Sequence, residues 1–256
     1  MNRIIKTMLL LSTLTIMPVQ IAYDRDAADL NVSEIVKHID ELYRSESSYA
    51  ELEMEIVTPH WERTLKMKAW SRGMNKTFIR ILAPAKDKDV ATLRIENEMW
   101  NYLPKINKVI KVPPSMMMSS WMGSDFTNDD LVKEFTWLDD YEFELIKPEE
   151  AEEGLLYIEL IPREDLPVVW GKIILAARRS DYIPVWEKYY EEKGKLMRVI
   201  NFLDIKTFDG KAIPSVMELI PEDKEGNKTI IRYLDIKFHS DVSEDIFNLR
   251  NLRSRR

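Results

Sequence analysis

Few residues in this chain could carry covalent chemistry, and their spacing assembles no reaction centre. Three histidines, His38, His60 and His239, stand far apart and lack the HExxH spacing that sets two imidazoles on one helix face for a metal. There is no cysteine, so disulfides, a thiol nucleophile and a thiolate metal site are excluded, and no lipid-bearing cysteine is expected at the start of a mature chain. The seven glycines form neither a P-loop nor a dinucleotide fingerprint, and Gly123-Ser124-Asp125 lacks the flanking pattern of a nucleophile elbow. With 44 Asp and Glu residues, neighbouring carboxylates arise by chance and point to no glycosidase pair. The expectation is a protein that is not an enzyme and needs no cofactor.

The chemically distinctive stretch is apolar. Between Val112 and Leu131 the chain places Met116, Met117, Met118, Trp121 and Met122 on one short segment. Pro113 and Pro114 stop a strand, Ser115 can cap a helix running to Met122, and Gly123 can end it; Thr127 with Asp130 forms a second capping pair. Such a helix is apolar on most of its surface and must cover something. It reads either as a plug for one open end of a sheet or as a movable lid. Methionine suits a lid because it is flexible and polarizable, and it adapts to apolar partners of variable shape.

The elements that position this segment are mostly strands. Val32, Ile35, Val36, Ile39, Leu42 and Tyr43 recur at three-and-four spacing, which predicts an amphipathic helix over 31–43 with Asn31 and Glu34 as a capping box. From Tyr49 the period becomes two. Glu51, Glu53 and Glu55 alternate with apolar residues, as do Lys66 and Lys68, so the two runs predict a hairpin across Thr58-Pro59-His60 with opposite charges meeting on its wet side. Further runs over 76–82, 91–96, 99–103, 108–112, 134–146, 155–161, 171–177, 185–190, 196–207, 212–220 and 228–238 bring the count to about a dozen strands. Turns at Gly194, Gly210 and Gly226 separate the last long ones. Strands of this length in a meander coil rather than stay flat, and broken alternation at Ile200, Phe202 and Leu203 predicts a bulge. The fold class is mainly β: one strongly curved antiparallel sheet with an N-terminal helix and short lid helices over an apolar cavity.

Composition narrows the class. The 256 residues hold 37 Lys and Arg against 44 Asp and Glu, a net charge of −7, which argues against a nucleic-acid-binding face. Arg3 and Lys6 precede the apolar run Met8–Met17 and Pro18, the pattern of a cleavable signal peptide and too short to span a bilayer. We expect residues 1–22 to be removed after Ala22, leaving residues 23–256 as one exported domain, in the periplasm if the host is Gram-negative.

Three blocks carry a family resemblance: Phe78-Ile79-Arg80-Ile81-Leu82-Ala83-Pro84, Glu98-Met99-Trp100-Asn101-Tyr102-Leu103-Pro104, and Met122-Gly123-Ser124-Asp125-Phe126-Thr127-Asn128-Asp129-Asp130-Leu131. Together they resemble the outer-membrane lipoprotein-sorting (LolA-like) family, in the branch often encoded beside RND and ABC exporters. The resemblance implies an incomplete β-barrel closed by helices, whose hydrophobic cavity carries lipid or lipoprotein acyl chains across the periplasm, with transient membrane contact. It also implies an RND- or ABC-type inner-membrane transporter as partner. A monomer is expected. Arg80 is similar by position to the strand arginine that contacts the lid in the family's chaperone.

The expected ligand-binding set is Met116, Met117, Met118, Trp121 and Met122 on the lid, with Phe78, Arg80, Leu82, Trp100 and Tyr102 on the sheet. Trp100 and Tyr102 serve equally well as core or as cavity lining. Arg80 puts a charge on an apolar face and is either a solvated rim residue or the partner of Asp125, Asp129 or Asp130 in latching the lid. Arg250, Arg253, Arg255 and Arg256 form a basic tail, frayed or in reach of anionic lipid. The alternative to a carrier is a periplasmic adaptor of a transporter, with a cavity filled by its own side chains.

Overall fold

Alternating charge decides the first strand pairing. The structure, a computed structural model, describes residues 31–43, 45–132, 137–164 and 168–254. The expected signal peptide, Arg255 and Arg256 lie outside the described residues. After helix α1 (Val32–Glu41), strands β1 (Ser47–Val57) and β2 (Glu62–Arg72) pair with Leu52 opposite Met67 and Met54 opposite Leu65. On the other face Lys68 approaches Glu51 to 3.2 Å and Lys66 approaches Glu53 to 2.9 Å, so the charges meet as the alternation predicts. Exposed pairs of this kind contribute only a few tenths of a kcal/mol each and mainly set register.

The remaining strands are β3 (Lys76–Ala83), β4 (Ala91–Ile95), β5 (Glu98–Leu103), β6 (Lys108–Lys111), β7 (Tyr141–Ile146), β8 (Leu155–Pro162), β9 (Lys172–Arg178), β10 (Pro184–Tyr190), β11 (Leu196–Phe208), β12 (Lys211–Pro221) and β13 (Lys228–Phe238). Among the described residues they form one antiparallel sheet in the order β6-β5-β4-β3-β2-β1-β13-β12-β11-β10-β9-β8-β7. The end strands β6 and β7 do not pair, so the sheet is not closed into a barrel.

Its curvature follows from what the 113–132 segment touches. The Trp121 indole donates to Thr92 in β4, the Asp125 amide donates to Thr229 in β13, and Arg198 in β11 donates to Asp130. These strands are six places apart in the sheet order, about 29 Å on a flat sheet at the usual spacing of ~4.8 Å. Residues 121–130 fold back on themselves, the Trp121 amide donating to the Phe126 carbonyl at 2.8 Å, and reach all three because the sheet wraps around them. Bulges help it bend: register shifts between β1 and β13 at Glu51/Leu52, between β2 and β3 at Lys66/Met67, and between β10 and β11 at Tyr189/Tyr190. The last lies at the start of β11, while the irregularity expected near Leu203 is Asp204, held at φ +54° with its carbonyl accepting from the Ser215 hydroxyl.

A seam opens beside it. β12 and β13 pair only where Val216–Leu219 meets Thr229–Arg232, and Pro214, which has no N–H to give a ladder, lies just past the last pair. Tyr43 fills the seam, stacked on Tyr233 at 5.8 Å and donating to the Pro214 carbonyl at 2.8 Å.

Both faces of the first half of the sheet are covered. On the concave face Met54, Ile56, Leu65, Met67, Ile79, Ile81 and Met99 bury against Trp121, with Met117, Met122 and Phe126 packed beside them. On the convex face Phe78, Leu93 and Tyr102 bury against Val242, Phe247 and Leu252 of the C-terminal segment, which ends in helix α4 (Leu249–Leu252).

Three expectations are corrected here. The lid is not an eight-residue helix: a single 3-10 turn, Pro114–Met116, gives way to turns that reverse at Met122 (φ +52°) and Gly123 (φ +78°). The Asn128 amide replaces the missing helical donors by bonding the carbonyls of Met116 and Ser119 at 3.0 and 3.2 Å. The strand expected over 134–146 begins only at Tyr141, because Trp137–Asp140 forms helix α3. The C-terminal tail is not frayed through Arg250 and Arg253, since Leu252 is fully buried and anchors α4. The capping pair holds: the Thr127 amide donates to Asp130 at 2.8 Å and the Asp130 amide to Thr127 Oγ1 at 3.1 Å, opening helix α2 (Asn128–Val132).

Candidate functional site

Where the first half of the concave face is filled by its own side chains, the second half is not. A cavity of about 460 Å³ lies over β9–β13, roofed by α1, by the lid arm from Phe126 to Leu131, and by Trp137 of α3. Its floor alternates as the strands require: Ile200 and Phe202 of β11, Met217 of β12, and Ile231 and Tyr233 of β13 point inward at period two. Aromatic rings from Tyr43, Phe126, Trp137, Tyr141, Trp170 and Tyr189 complete a largely apolar wall. A comparable depression of about 470 Å³ at the end of α1 is lined by Tyr43, Met74 and Leu138 together with Lys37, Glu41 and His239.

One polar cluster interrupts the apolar wall. Arg198 is 7% exposed and donates both ends of its guanidinium fork to Asp130, at 3.0 and 2.9 Å, with its plane against Trp170 at 4.4 Å and Tyr189 at 4.3 Å. Burial pulls the guanidinium down, but attraction to Asp130 outweighs it and holds Arg198 above its ordinary value. Burial likewise pushes the Asp130 carboxyl up, and the charge and hydrogen bonds of Arg198, with those of Thr127, bring it below the usual carboxylate range. Beside the pair, Tyr189 donates to Glu187 at 2.5 Å. Glu187 is buried, and burial raises its carboxyl to about 7 against the opposing pull of Tyr189 and Arg198.

That shift has a sign. Between about 4.5 and about 7 the folded chain keeps a proton that the unfolded chain has lost, so Glu187 makes stability fall as pH rises through this window. Denaturant titrations at pH 5 and pH 7.5 should show a drop with a Glu187 component of about 2 kcal/mol. Glu187→Gln should remove that component, and equal slopes in both proteins would contradict it.

The lid arm is held at four points. Trp121, 2% exposed, donates through its indole to Thr92 Oγ1 at 3.1 Å. Arg63 donates to the Met122 carbonyl and pairs with Asp87 at 3.5 Å. Asp125 accepts from the Thr229 hydroxyl at 2.8 Å and lies 3.6 Å from Lys224. Asp130 is held by Arg198.

The structure divides the expected ligand set between two faces. Met117, Trp121 and Met122 turn toward the concave core, while Met116 and Met118 are about half exposed, at 51% and 47%. Phe78, Trp100 and Tyr102 belong to the convex face under the C-terminal segment, and Leu82 is the exposed residue at the β2–β3 bulge. Arg80 lies on that convex face, donating to the Asn251 carbonyl at 2.9 Å and stacking over Phe78, so it does not latch the lid. Odd and even positions of β3 face opposite ways, and the charged residue falls on the even side. The arginines that bond this segment are Arg63, to the Met122 carbonyl, and Arg198, to the Asp130 carboxylate. The signal that singled out Arg80 was present there too: Arg198, Ile200 and Phe202 alternate along one strand with a charge on an apolar face.

A family model described as an uncharacterized protein matches residues 73–254. No curated protein matches the sequence. Solved structures share the fold. A DUF1329 family protein from Desulfovibrio piger aligns with a TM-score of 0.77 at 20% identity, covering 86% of this chain and 97% of that one. An outer membrane lipoprotein-sorting protein domain from Vibrio parahaemolyticus aligns at 0.74 and 22% identity, covering 87% and 98%. A LolA superfamily protein from Nitrosomonas europaea aligns at 0.72 and 20% identity, covering 87% and 99%.

Proposed function

The chain belongs to the family whose model spans residues 73–254 and has the fold of the LolA superfamily, and from that premise we propose that it is a periplasmic carrier of lipid or lipoprotein acyl chains. The observation that carries the reading is the cavity of about 460 Å³, walled mainly by aliphatic and aromatic side chains and partly roofed by the segment from Phe126 to Leu131. Ligand sites are typically concave, mostly apolar and fitted with a few convergent polar groups. Each CH₂ withdrawn from water contributes about 0.8 kcal/mol, so one acyl chain suffices for tight retention. Transfer follows from differences in affinity between donor, carrier and acceptor, with no covalent step. An inner-membrane exporter of the RND or ABC type is the proposed donor.

Met217→Trp, which adds bulk to the cavity floor without touching the lid, should lower retained lipid at least tenfold while the thermal midpoint changes little. Unchanged retention would count against the cavity as the cargo site. A second reading, an adaptor docked on a transporter, draws on the self-filled first half of the concave face. It predicts that Met217→Trp leaves function intact.

A further inference from the structure

We propose that the cavity's ligand is an amphiphile with an anionic head, a carboxylate or phosphate, that takes the place of the Asp130 carboxylate on Arg198. This rests on the carrier reading and adds the chemistry of the head. Arg198 is 93% buried by its 7% exposure, inside the cavity wall, and the acceptor on its fork is supplied by the lid arm. Its Nε meets no acceptor among the described residues. Trp170 and Tyr189, edge to face with each other at 5.1 Å, pack against the guanidinium carbon at 4.4 and 4.3 Å independently of the arm, so the fork keeps these contacts when the arm leaves. Lifting the arm alone would leave a buried cation without its bidentate partner, with only Glu187, whose own carboxyl is held largely protonated by burial, as a nearby acid, which is unfavourable. A ligand that brings an oxyanion removes that obstacle.

The guanidinium fork fits carboxylate and phosphate oxygens in the same two-point manner. Exchanging one such group for Asp130 restores the pairing that the lid provided. The other acids facing the cavity are Glu187, already accepting from Tyr189, Asp40 on α1, and Asp129, which belongs to the arm with Asp130. A neutral head gives Arg198 no counter-charge, and a cationic head meets it as a like charge. Head binding and release of the arm are therefore a single exchange, in which Asp130 is the built-in competitor.

The test uses the full chain freed of bound lipid and titrated with palmitate, palmitoyl lysophosphatidate or hexadecanol, each below its aggregation concentration. Binding is read by calorimetry. At least one anionic probe should bind ten or more times tighter than hexadecanol, and whichever of the two binds tighter identifies the head as carboxylate or phosphate. Asp130→Asn should tighten anion binding about tenfold. Arg198→Met should bring anionic and neutral probes within about twofold of one another. If Arg198→Met does not fold, Asp130→Asn decides, because it keeps the arginine. Hexadecanol binding as tightly as both anions, or Asp130→Asn weakening them, overturns the anionic head and leaves the carrier reading standing. Binding of none of the three overturns both.

Discussion

Asp130→Ala is expected to destabilise the folded chain by about 3–5 kcal/mol, the cost of leaving a buried charge without its partner. Arg198 and Asp130 are both largely buried, with side chains 9% and 19% exposed, so solvent screening offers little relief. The double replacement Arg198→Met with Asp130→Leu should recover most of the loss, since apolar groups of similar volume satisfy the same space. Urea titrations of the two single variants and the double variant measure the coupling. A cost below about 1 kcal/mol for Asp130→Ala would assign the pair to the solvent-screened class and remove its role as a latch. The pH dependence has a definite sign: the Asp130 carboxyl is depressed by folding, so its contribution is present at neutral pH and is lost as pH falls through its folded value.

Trp121→Ala should cost a similar 3–5 kcal/mol, for a different reason. The indole is 2% exposed and joins the lid to the core built from β1, β2, β3 and β5. Removing it deletes a large buried ring and leaves the Thr92 hydroxyl with only Asn101 as partner on that side. Trp121→Phe keeps most of the buried area and loses the hydrogen bond, so it should cost roughly 1–2 kcal/mol. Hydrogen exchange separates the consequences: in Trp121→Ala the amides of residues 114–131 should lose protection while those of β1 and β2 keep theirs. Uniform loss across the sheet would mean that the segment is an integral part of the core.

Much of this architecture is legible in the order of residues. Glu51, Glu53 and Glu55 against Lys66 and Lys68 specify the first hairpin and its register, and Gly194, Gly210 and Gly226 mark where the long strands turn. The lid is legible as an apolar segment between Pro113 and Asn128. Its internal conformation is not, because Asn128 closes it by bonding carbonyls nine and twelve residues back, a contact no local period reveals. The choice of latching arginine failed for a related reason. Arg80 and Arg198 each interrupt an apolar strand face, and only the wrap of the sheet decides that β3's even face meets the C-terminal helix while β11's meets the lid. Nor does alternation tell which half of the concave face is filled: Trp121 and its methionines close one half, and Tyr43, stacked on Tyr233, is part of the lining of the other.

The central claim, that this fold holds an apolar cargo, is tested most directly by native mass spectrometry of the protein purified without detergent, followed by lipid extraction. The account predicts a bound mass that organic solvent removes, that Met217→Trp fails to retain, and that reappears when the stripped protein is incubated with its extracted lipid. A folded protein that carries only its own mass and takes up neither extracted lipid nor palmitate would contradict it.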